Sequence, residues 1–184
     1  MLISYTHKFS FFHVAKVAGI SIRDALQEYA QEPRDLKIRQ PPRFVNGQPN
    51  ILYEMWEVYV LHTRARDAAR MLPPDVFQTF YKFAFVRNPW DWQVSMYHFL
   101  LKETKNPRYD LIRSMNGFDE YLEWVIKTDK PYPRGASKFQ RDMVTDKAGN
   151  CIVDFVGRFE NLSEDFAHVC QHLNIAAALP YLNS

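Results

Sequence analysis

Near its start the chain places a predicted strand, a short turn and a predicted helix in direct succession, and this order constrains the fold most. Residues 8–14 read KFSFFHV, a mostly apolar run that predicts a buried strand. From Ile22 to Ala30, apolar residues recur every three or four positions, which predicts a helix with one buried face. A strand that passes straight into a helix is typical of α/β proteins with parallel sheets.

A second strand–helix unit follows in the middle of the chain. Residues 81–86 (YKFAFV) predict a buried strand that an Arg-Asn-Pro tripeptide (87–89) ends, and helical spacing resumes over 94–101. Asn161 and Glu164, three residues apart, predict a capping arrangement for the last helix. Strands separated by helices predict a central, mostly parallel sheet flanked by helices. The other predicted elements are helices over 65–72, 118–125 and 162–173, a turn over 146–150 and a strand over 152–159.

Length and composition predict one globular domain, since 184 residues is close to the usual size of a single domain. A net charge of +2 is too small to predict nucleic-acid binding. Two cysteines predict neither a disulfide framework nor a metal site. No run reaches the ~18 apolar residues of a membrane span and the first residues do not resemble a signal peptide, so we expect a cytoplasmic protein or a soluble domain of a longer protein. The oligomeric state stays open.

The turn after the first strand, HVAKVAGIS (13–21), has the composition of an anion-binding loop. The start of a helix offers unpaired N–H groups and a partial positive charge, and small residues such as Ala18 and Gly19 let a ligand approach the backbone. Lys16 adds a full charge and Ser21 a hydroxyl donor. The order differs from the Walker signature, in which the lysine follows the glycine. A plain strand–helix turn with a surface lysine is the alternative.

Arg87 and Ser95 form a second candidate anion-binding element. Arg87 stands where the strand over 81–86 ends, and ligands of parallel sheets bind outside the carboxyl ends of the strands. An arginine can hold a phosphate through two parallel hydrogen bonds, and Ser95 in the next helix can donate to the same group. A helix-capping or salt-bridge role for Arg87 is the alternative. One ligand with two separate phosphate groups would explain both elements.

Taken in order, these elements resemble the sulfotransferases that use 3′-phosphoadenosine-5′-phosphosulfate (PAPS), in particular the carbohydrate-type branch with its small bacterial members. The family's first motif, roughly His-x-Pro-Lys-Thr-x-Gly-Thr-Ser, stands here as residues 13–21. Its second motif, Arg-[Asp/Asn]-Pro followed by a serine, stands as 87–89 with Ser95. The similarity covers about residues 8–182 and includes a strand-to-helix segment over 153–162. It implies a P-loop-like, three-layer α/β fold.

The resemblance also implies the site residues. Arg87 and Ser95 would bind the 3′-phosphate of PAPS, while the first loop would cradle the 5′-phosphosulfate. That loop comprises Lys16, Val17, Ala18, Gly19, Ile20 and Ser21. Lys16 would stabilise charge on the leaving phosphate, an electrostatic role that needs no metal.

The resemblance points to a base and an acceptor as well. His62, before the helix over 65–72, would take the proton of the acceptor hydroxyl, with Glu54 and Glu57 as alternative bases. The acceptor would be a carbohydrate or another hydroxyl compound. A candidate basic lining for an anionic saccharide consists of Arg39, Arg43, Arg134, Lys138 and Arg141. The alternative is that these residues are ordinary solvated surface charges.

The sequence departs from the family pattern in three ways. Ala15 and Val17 replace the proline and threonine beside the motif lysine, and Ile20 replaces the threonine before the serine, so two side-chain hydroxyls are missing. No second basic residue stands near Trp92. The chain also ends where relatives usually continue, so we expect a single sulfotransferase-like domain over 1–184 without the family's tyrosine-rich helical tail.

Two other functions stay open. A P-loop kinase for a small molecule would need Gly-Lys-Ser/Thr, which is absent, and an aspartate for magnesium, for which Asp154 is a candidate. A non-catalytic nucleotide-binding module with the same fold is favoured by Val17 and Ile20, which lack the family's hydroxyls.

Overall fold

The computed structural model of the chain describes residues 1–31, 41–132 and 136–180, and only the backbone of Val58. In chain order its elements are β1 (Leu2–Ser4), β2 (Phe9–Phe12), α1 (Gly19–Leu26), β3 (Phe44–Val45), β4 (Gln48–Pro49), α2 (Ile51–Leu61), α3 (Ala65–Met71), α4 (Pro74–Thr79), β5 (Tyr81–Val86), α5 (Pro89–Lys102), α6 (Tyr109–Arg113), α7 (Phe118–Lys127), β6 (Phe155–Arg158) and α8 (Leu162–Leu173). Short 3₁₀ helices span Gln27–Tyr29, Gln140–Met143 and Phe159–Asn161.

The main sheet has the strand order β1-β2-β5-β6. β2 pairs with β5 and β5 with β6 in parallel, whereas β1 pairs with β2 antiparallel. All four residues of β2 are buried, and because successive side chains of a strand point to opposite faces, both faces of the sheet are covered. The predicted α/β class, with a mostly parallel sheet flanked by helices, is confirmed.

The register of β2 against β5 brings the two candidate elements to one edge of the sheet. Phe12, the last residue of β2, lies opposite Ala84, so the loop that begins at His13 leaves the sheet close to Arg87. In parallel pairing the carboxyl ends of both strands meet at the same edge. Two segments that are about 70 residues apart in sequence therefore become neighbours.

The structure differs from the sequence-based expectations at several element ends. The strand predicted over 152–159 is shorter, Phe155–Arg158. Asn161 does occupy the N-cap position of α8, as predicted, but its side chain makes no cap hydrogen bond. A 3₁₀ helix leads directly into α8 instead, and Asp165 of α8 accepts a hydrogen bond from the Arg158 N–H. The predicted turn over 146–150 is confirmed by the pairing of Thr145 with Cys151 around it.

Candidate active site

The loop between β2 and α1 has an unusual backbone. Lys16 and Ala18 both adopt left-handed conformations, with φ of 61° and 59°, which few residues other than glycine do. Such turns point successive N–H groups towards one concave spot, which suits an anion. No side chain in the described residues caps the first turn of α1, so the N–H groups at its start stay available. The local geometry thus has the features expected of an anion cradle.

The residues of this loop differ in how far they are exposed to solvent. Val17 is 0% exposed, backbone included, so in this conformation neither its side chain nor its N–H group is open to a ligand. A threonine at the same place would direct its hydroxyl into the core, and the valine therefore costs no ligand contact. Ile20 is 66% exposed on the first turn of α1, where a threonine hydroxyl would be accessible, and Ser21 is partly buried. Of the two missing hydroxyls, only the one at Ile20 faces solvent.

Gly19 is required by the ring of His13. A Cβ atom added to Gly19 would lie 2.0 Å from Cδ2 and 2.1 Å from Nε2 of His13, far inside van der Waals contact. His13 is itself buried and its ring stacks with Phe11 at a centroid distance of 6.3 Å. The glycine thus allows the histidine, and not only a ligand, to approach the loop.

We expect Gly19→Ala to lower the free energy of unfolding by roughly 1–3 kcal/mol, because the added methyl group overpacks a buried ring. Urea unfolding would measure this. Ala18→Gly is the matched control, since it changes one methyl group at the adjacent residue. There the relief of left-handed strain and the added chain entropy nearly cancel, so we expect a change below ~1 kcal/mol. Equal stability of Gly19→Ala and the unchanged protein would contradict the close packing.

The backbone of Arg87 is held by a distant side chain. The Arg87 N–H donates to Oε1 of Gln140 at 2.8 Å, and Nε2 of Gln140 donates to the Arg87 carbonyl, also at 2.8 Å. Next along the chain, Oδ1 of Asn88 accepts from the Trp90 N–H and caps α5, while Pro89 occupies the first helical position. The Arg-Asn-Pro tripeptide therefore ends one element and starts the next.

The guanidinium group of Arg87 has an open donor. It lies over the Phe159 ring, 4.4 Å from the centroid, and its buried Nε atom has no hydrogen-bond partner within the described part of the chain. None of the described carboxylates forms an ion pair with it. The capping role belongs to Asn88, and Arg87 forms no ion pair within these residues. Its charge does act on Glu160: hydrogen bonds from the backbone N–H groups of Asn88 and Glu160, and then the charge of Arg87, lower the pKa of the Glu160 carboxyl group. A buried donor without a partner is costly unless a ligand satisfies it.

Positive charges converge on Lys16. Burial, followed by the charges of Lys102 and Arg87, lowers the pKa of the Lys16 ammonium group. Its Nζ atom lies 4.7 Å from the centroid of the Phe99 ring on α5, and no described carboxylate forms an ion pair with it. Ser95 lies on the second turn of the same helix and is partly buried. An anion bound here would relieve repulsion between cations that the fold has brought together.

His62 follows α2 and lies next to the first loop. Its ring centroid is 5.4 Å from that of His13, which in turn contacts Gly19. Burial lowers the pKa of His62 to about 4 and that of His13 to about 3, so both rings are neutral at neutral pH. The Nδ1 atoms of both rings are buried without a partner among the described residues. The alternative bases Glu54 and Glu57 are exposed on α2.

The candidate acceptor residues are spread over several elements. Lys138 donates to the carbonyls of Ile126 and Thr128 and, with Arg141, flanks the Phe139 ring, whereas Arg43 lies on the β3–β4 hairpin. Arg39 and Arg134 lie outside the described residues.

Three residues of the site escaped the sequence-based prediction. Gln140 and Lys102 have no local signal, because their contacts depend on the folded chain. Trp92 has no such signal either, and its indole Nε1 donates to the Ala15 carbonyl at 2.7 Å.

The described ranges hold no group of three or more His, Cys, Asp or Glu side chains arranged to bind a metal ion. No helix within them combines the length and apolar character needed to cross a bilayer.

Two parallel strands each lead into a turn whose cation, Lys16 or Arg87, has no ion-pair partner among the described residues. This arrangement defines an α/β protein with a cationic edge on its sheet. The chain belongs to the sulfotransferase family, whose model matches residues 1–184. Membership makes it a transferase that moves a sulfuryl group to a hydroxyl acceptor, and it confirms the family predicted from the sequence. No curated protein and no solved structure matches the chain.

Proposed function

We propose that the chain transfers the sulfuryl group of PAPS to a hydroxyl group of a carbohydrate, and that residues 1–184 form one P-loop-like domain for this reaction. One observation carries the proposal. Lys16 and Arg87 lie at the same edge of the sheet, each without an ion-pair partner among the described residues. PAPS has an anionic group at each end of its ribose, and two such groups match two separate cations.

The residues of the edge fit this donor in a defined orientation. Lys16 and the backbone N–H groups of Ala18, Ile20 and Ser21, which are not buried, are suited to the 5′-phosphosulfate, since they surround the left-handed turn at the start of α1. Arg87 and Ser95 are suited to the 3′-phosphate, because the guanidinium group retains an open donor. Holding the far end of the donor orients its sulfur atom for attack.

The reaction forms a bond between the acceptor oxygen and sulfur and breaks the bond between sulfur and the 5′-phosphate oxygen. Adenosine 3′,5′-bisphosphate leaves, and Lys16 stabilises the negative charge that develops on its 5′-phosphate. His62 accepts the proton of the hydroxyl group. Its ring is already neutral, and an anionic donor nearby would raise the pKa of His62 from about 4 towards the working pH.

We expect His62→Ala to lower turnover at saturating donor by ~10²–10⁴, the usual contribution of a general base. Transfer of labelled sulfate to an acceptor measures it. His98→Ala is the matched control, because His98 is an exposed histidine on α5, and it should leave turnover unchanged. If His62→Ala turned over at a near-normal rate, the base would have to be another group, with Glu57→Gln as the next variant to assay.

A carbohydrate acceptor is the finer part of the proposal and is supported by the family resemblance. Lys138 and Arg141, which flank Phe139, would contact an anionic saccharide. A panel of sulfated and neutral saccharides, together with small phenols and alcohols, tests this choice. Transfer to the phenols or alcohols alone would exclude a carbohydrate.

The position of Asp154 speaks against the kinase alternative. Its carboxylate pairs with Lys82 Nζ at 2.8 Å and accepts from the Lys82 N–H, at the amino end of β5. Lys16 and Arg87 follow the carboxyl ends of β2 and β5, so Asp154 lies at the opposite edge of the sheet. A magnesium ligand for a nucleotide would have to stand beside the phosphate loop.

Thermal unfolding with three additions tests the proposal as a whole. We expect adenosine 3′,5′-bisphosphate to raise Tm above the value in buffer alone, whereas ATP with magnesium leaves Tm at that value. Stabilisation by ATP with magnesium alone would favour a kinase. Stabilisation by the bisphosphate without any transfer of labelled sulfate would favour a non-catalytic module.

A further inference from the structure

Trp92 joins the two candidate anion-binding elements directly. Its side chain is only 3% exposed, and its indole N–H donates to the Ala15 carbonyl across 77 positions of sequence. Ala15 immediately precedes Lys16, the first residue of the loop in the left-handed conformation. Trp92 itself lies on the first turn of α5, the helix that Arg87 precedes. The hydrogen bond therefore links the start of the first loop to the start of α5, which carries the second candidate element.

This bond fixes a peptide plane. The peptide unit that carries the Ala15 carbonyl also carries the Lys16 N–H, and in a trans peptide these two groups point in opposite directions. Once the carbonyl is directed towards Trp92, the Lys16 N–H is directed away from α5. Because Lys16 and Ala18 both have left-handed backbones, the loop has little intrinsic preference for its shape, and an external contact must stabilise it.

A hydrogen-bonded cluster holds the Trp92 ring in turn. The Tyr132 ring meets it edge to face, at 5.5 Å and 81°. The Tyr132 hydroxyl donates to Oε1 of Gln93 at 2.8 Å, and the Tyr121 hydroxyl donates to the same atom at 3.1 Å. Burial raises the pKa of both tyrosines, so both hydroxyls keep their protons. The indole is thus fixed by packing and by a satisfied polar cluster rather than by the loop alone.

We propose that Trp92 is a positioning residue that holds the loop over residues 15–18 in its donor-binding shape. The inference rests on the proposed function in that the loop is taken to bind PAPS. In this role Trp92 does not itself touch the donor. It acts through the Ala15 carbonyl, and the Tyr121–Gln93–Tyr132 cluster fixes the indole.

Trp92→Phe tests the inference, because phenylalanine keeps an aromatic ring against Tyr132 and removes the N–H donor. Trp90→Phe is the matched control, since Trp90 lies on the same helix turn and is 75% exposed. In the ligand-free protein, we expect amide hydrogen exchange of the peptide over 13–19 to be faster in Trp92→Phe only. We also expect about tenfold weaker binding of adenosine 3′,5′-bisphosphate by calorimetry, the effect of one lost buried hydrogen bond.

The two readouts separate this inference from the proposed function. If the unchanged protein does not bind the bisphosphate, the donor assignment fails, and the exchange of the loop still decides whether Trp92 holds it. The positioning role would be overturned if the loop of Trp92→Phe exchanged as slowly as that of Trp90→Phe. It would also be overturned if the loop exchanged faster but the affinity for adenosine 3′,5′-bisphosphate were unchanged. If amide exchange in Trp92→Phe were faster across the whole protein, including α8, Trp92 would contribute to general stability, and the positioning role would again be overturned.

Tyr132→Phe provides a second, milder variant where Trp92→Phe does not fold. It keeps the ring against Trp92 and removes the hydroxyl that donates to Gln93 and that lies 3.0 Å from the Tyr121 hydroxyl. The expected result is faster exchange over 13–19 and about threefold weaker binding of the bisphosphate. Unchanged exchange there would show that the cluster does not support the indole.

Discussion

Lys16→Ala should lower the rate of sulfuryl transfer at saturating donor by ~10²–10³, the usual loss when one preorganised group that stabilises developing charge is removed. Burial, followed by the charges of Lys102 and Arg87, lowers the pKa of Lys16, and Lys16 has no described carboxylate as an ion-pair partner. Its charge is therefore available to the leaving phosphate. Lysine and alanine both carry a Cβ atom, so the left-handed backbone at φ 61° is strained equally in both. Single-turnover transfer of labelled sulfate measures the rate.

Lys147→Ala removes an equal charge from the exposed turn before β6 and serves as the control for net charge. We expect no change in its rate. If Lys16→Ala raised KM and left kcat unchanged, Lys16 would contribute only to binding, equally in the ground state and the transition state. A rate equal to that of Lys147→Ala would remove Lys16 from the reaction altogether.

The strands that carry the site can be predicted from local sequence. The strand over 81–86 is predictable to the residue, because an apolar run meets an Arg-Asn-Pro tripeptide that cannot continue it. Lys82 interrupts the apolar pattern, yet it is buried, since Asp154 and the Phe80 carbonyl satisfy its ammonium group. The pattern of apolar residues is thus sufficient to predict β5, even though it does not reveal the partners of Lys82.

Elements without a periodic signal were not predictable. β1 has only three residues, too few to show alternation. α2 reads ILYEMWEVYVL, in which apolar residues surround the helix, so no polar face marks its period. Its start is marked by Asn50, whose Oδ1 accepts from the Leu52 N–H, but an asparagine after a loop is equally typical of a turn.

The charged residues of the candidate site can be predicted from the sequence, but the residues that hold them in place cannot. Lys16 and Arg87 follow strands, and a parallel sheet brings strand ends together, so their proximity follows from topology. The clamp of Gln140 on the Arg87 backbone and the bond from Trp92 to Ala15 span 53 and 77 positions. No local pattern encodes such contacts, because they depend on how loops from distant segments pack.

Arg87→Ala should weaken binding of adenosine 3′,5′-bisphosphate by ~10–150-fold, the equivalent of ~1.5–3 kcal/mol for a hydrogen bond to a charged group. The buried Nε atom without a described partner is the donor that the 3′-phosphate would satisfy. The clamp by Gln140 uses only backbone atoms of residue 87, so it persists in the variant. Calorimetry at fixed ionic strength measures the affinity, since phosphate contacts weaken with salt.

Arg87→Lys separates charge from shape. It keeps the positive charge but loses the planar fork that can hold a phosphate through two parallel bonds, so we expect an affinity between those of the unchanged protein and Arg87→Ala. Arg113→Ala, which removes an exposed arginine from α6, is the control for net charge and should bind normally. If both substitutions at Arg87 left the affinity unchanged, the guanidinium group would serve only its contact with Phe159, and the 3′-phosphate would have to bind elsewhere.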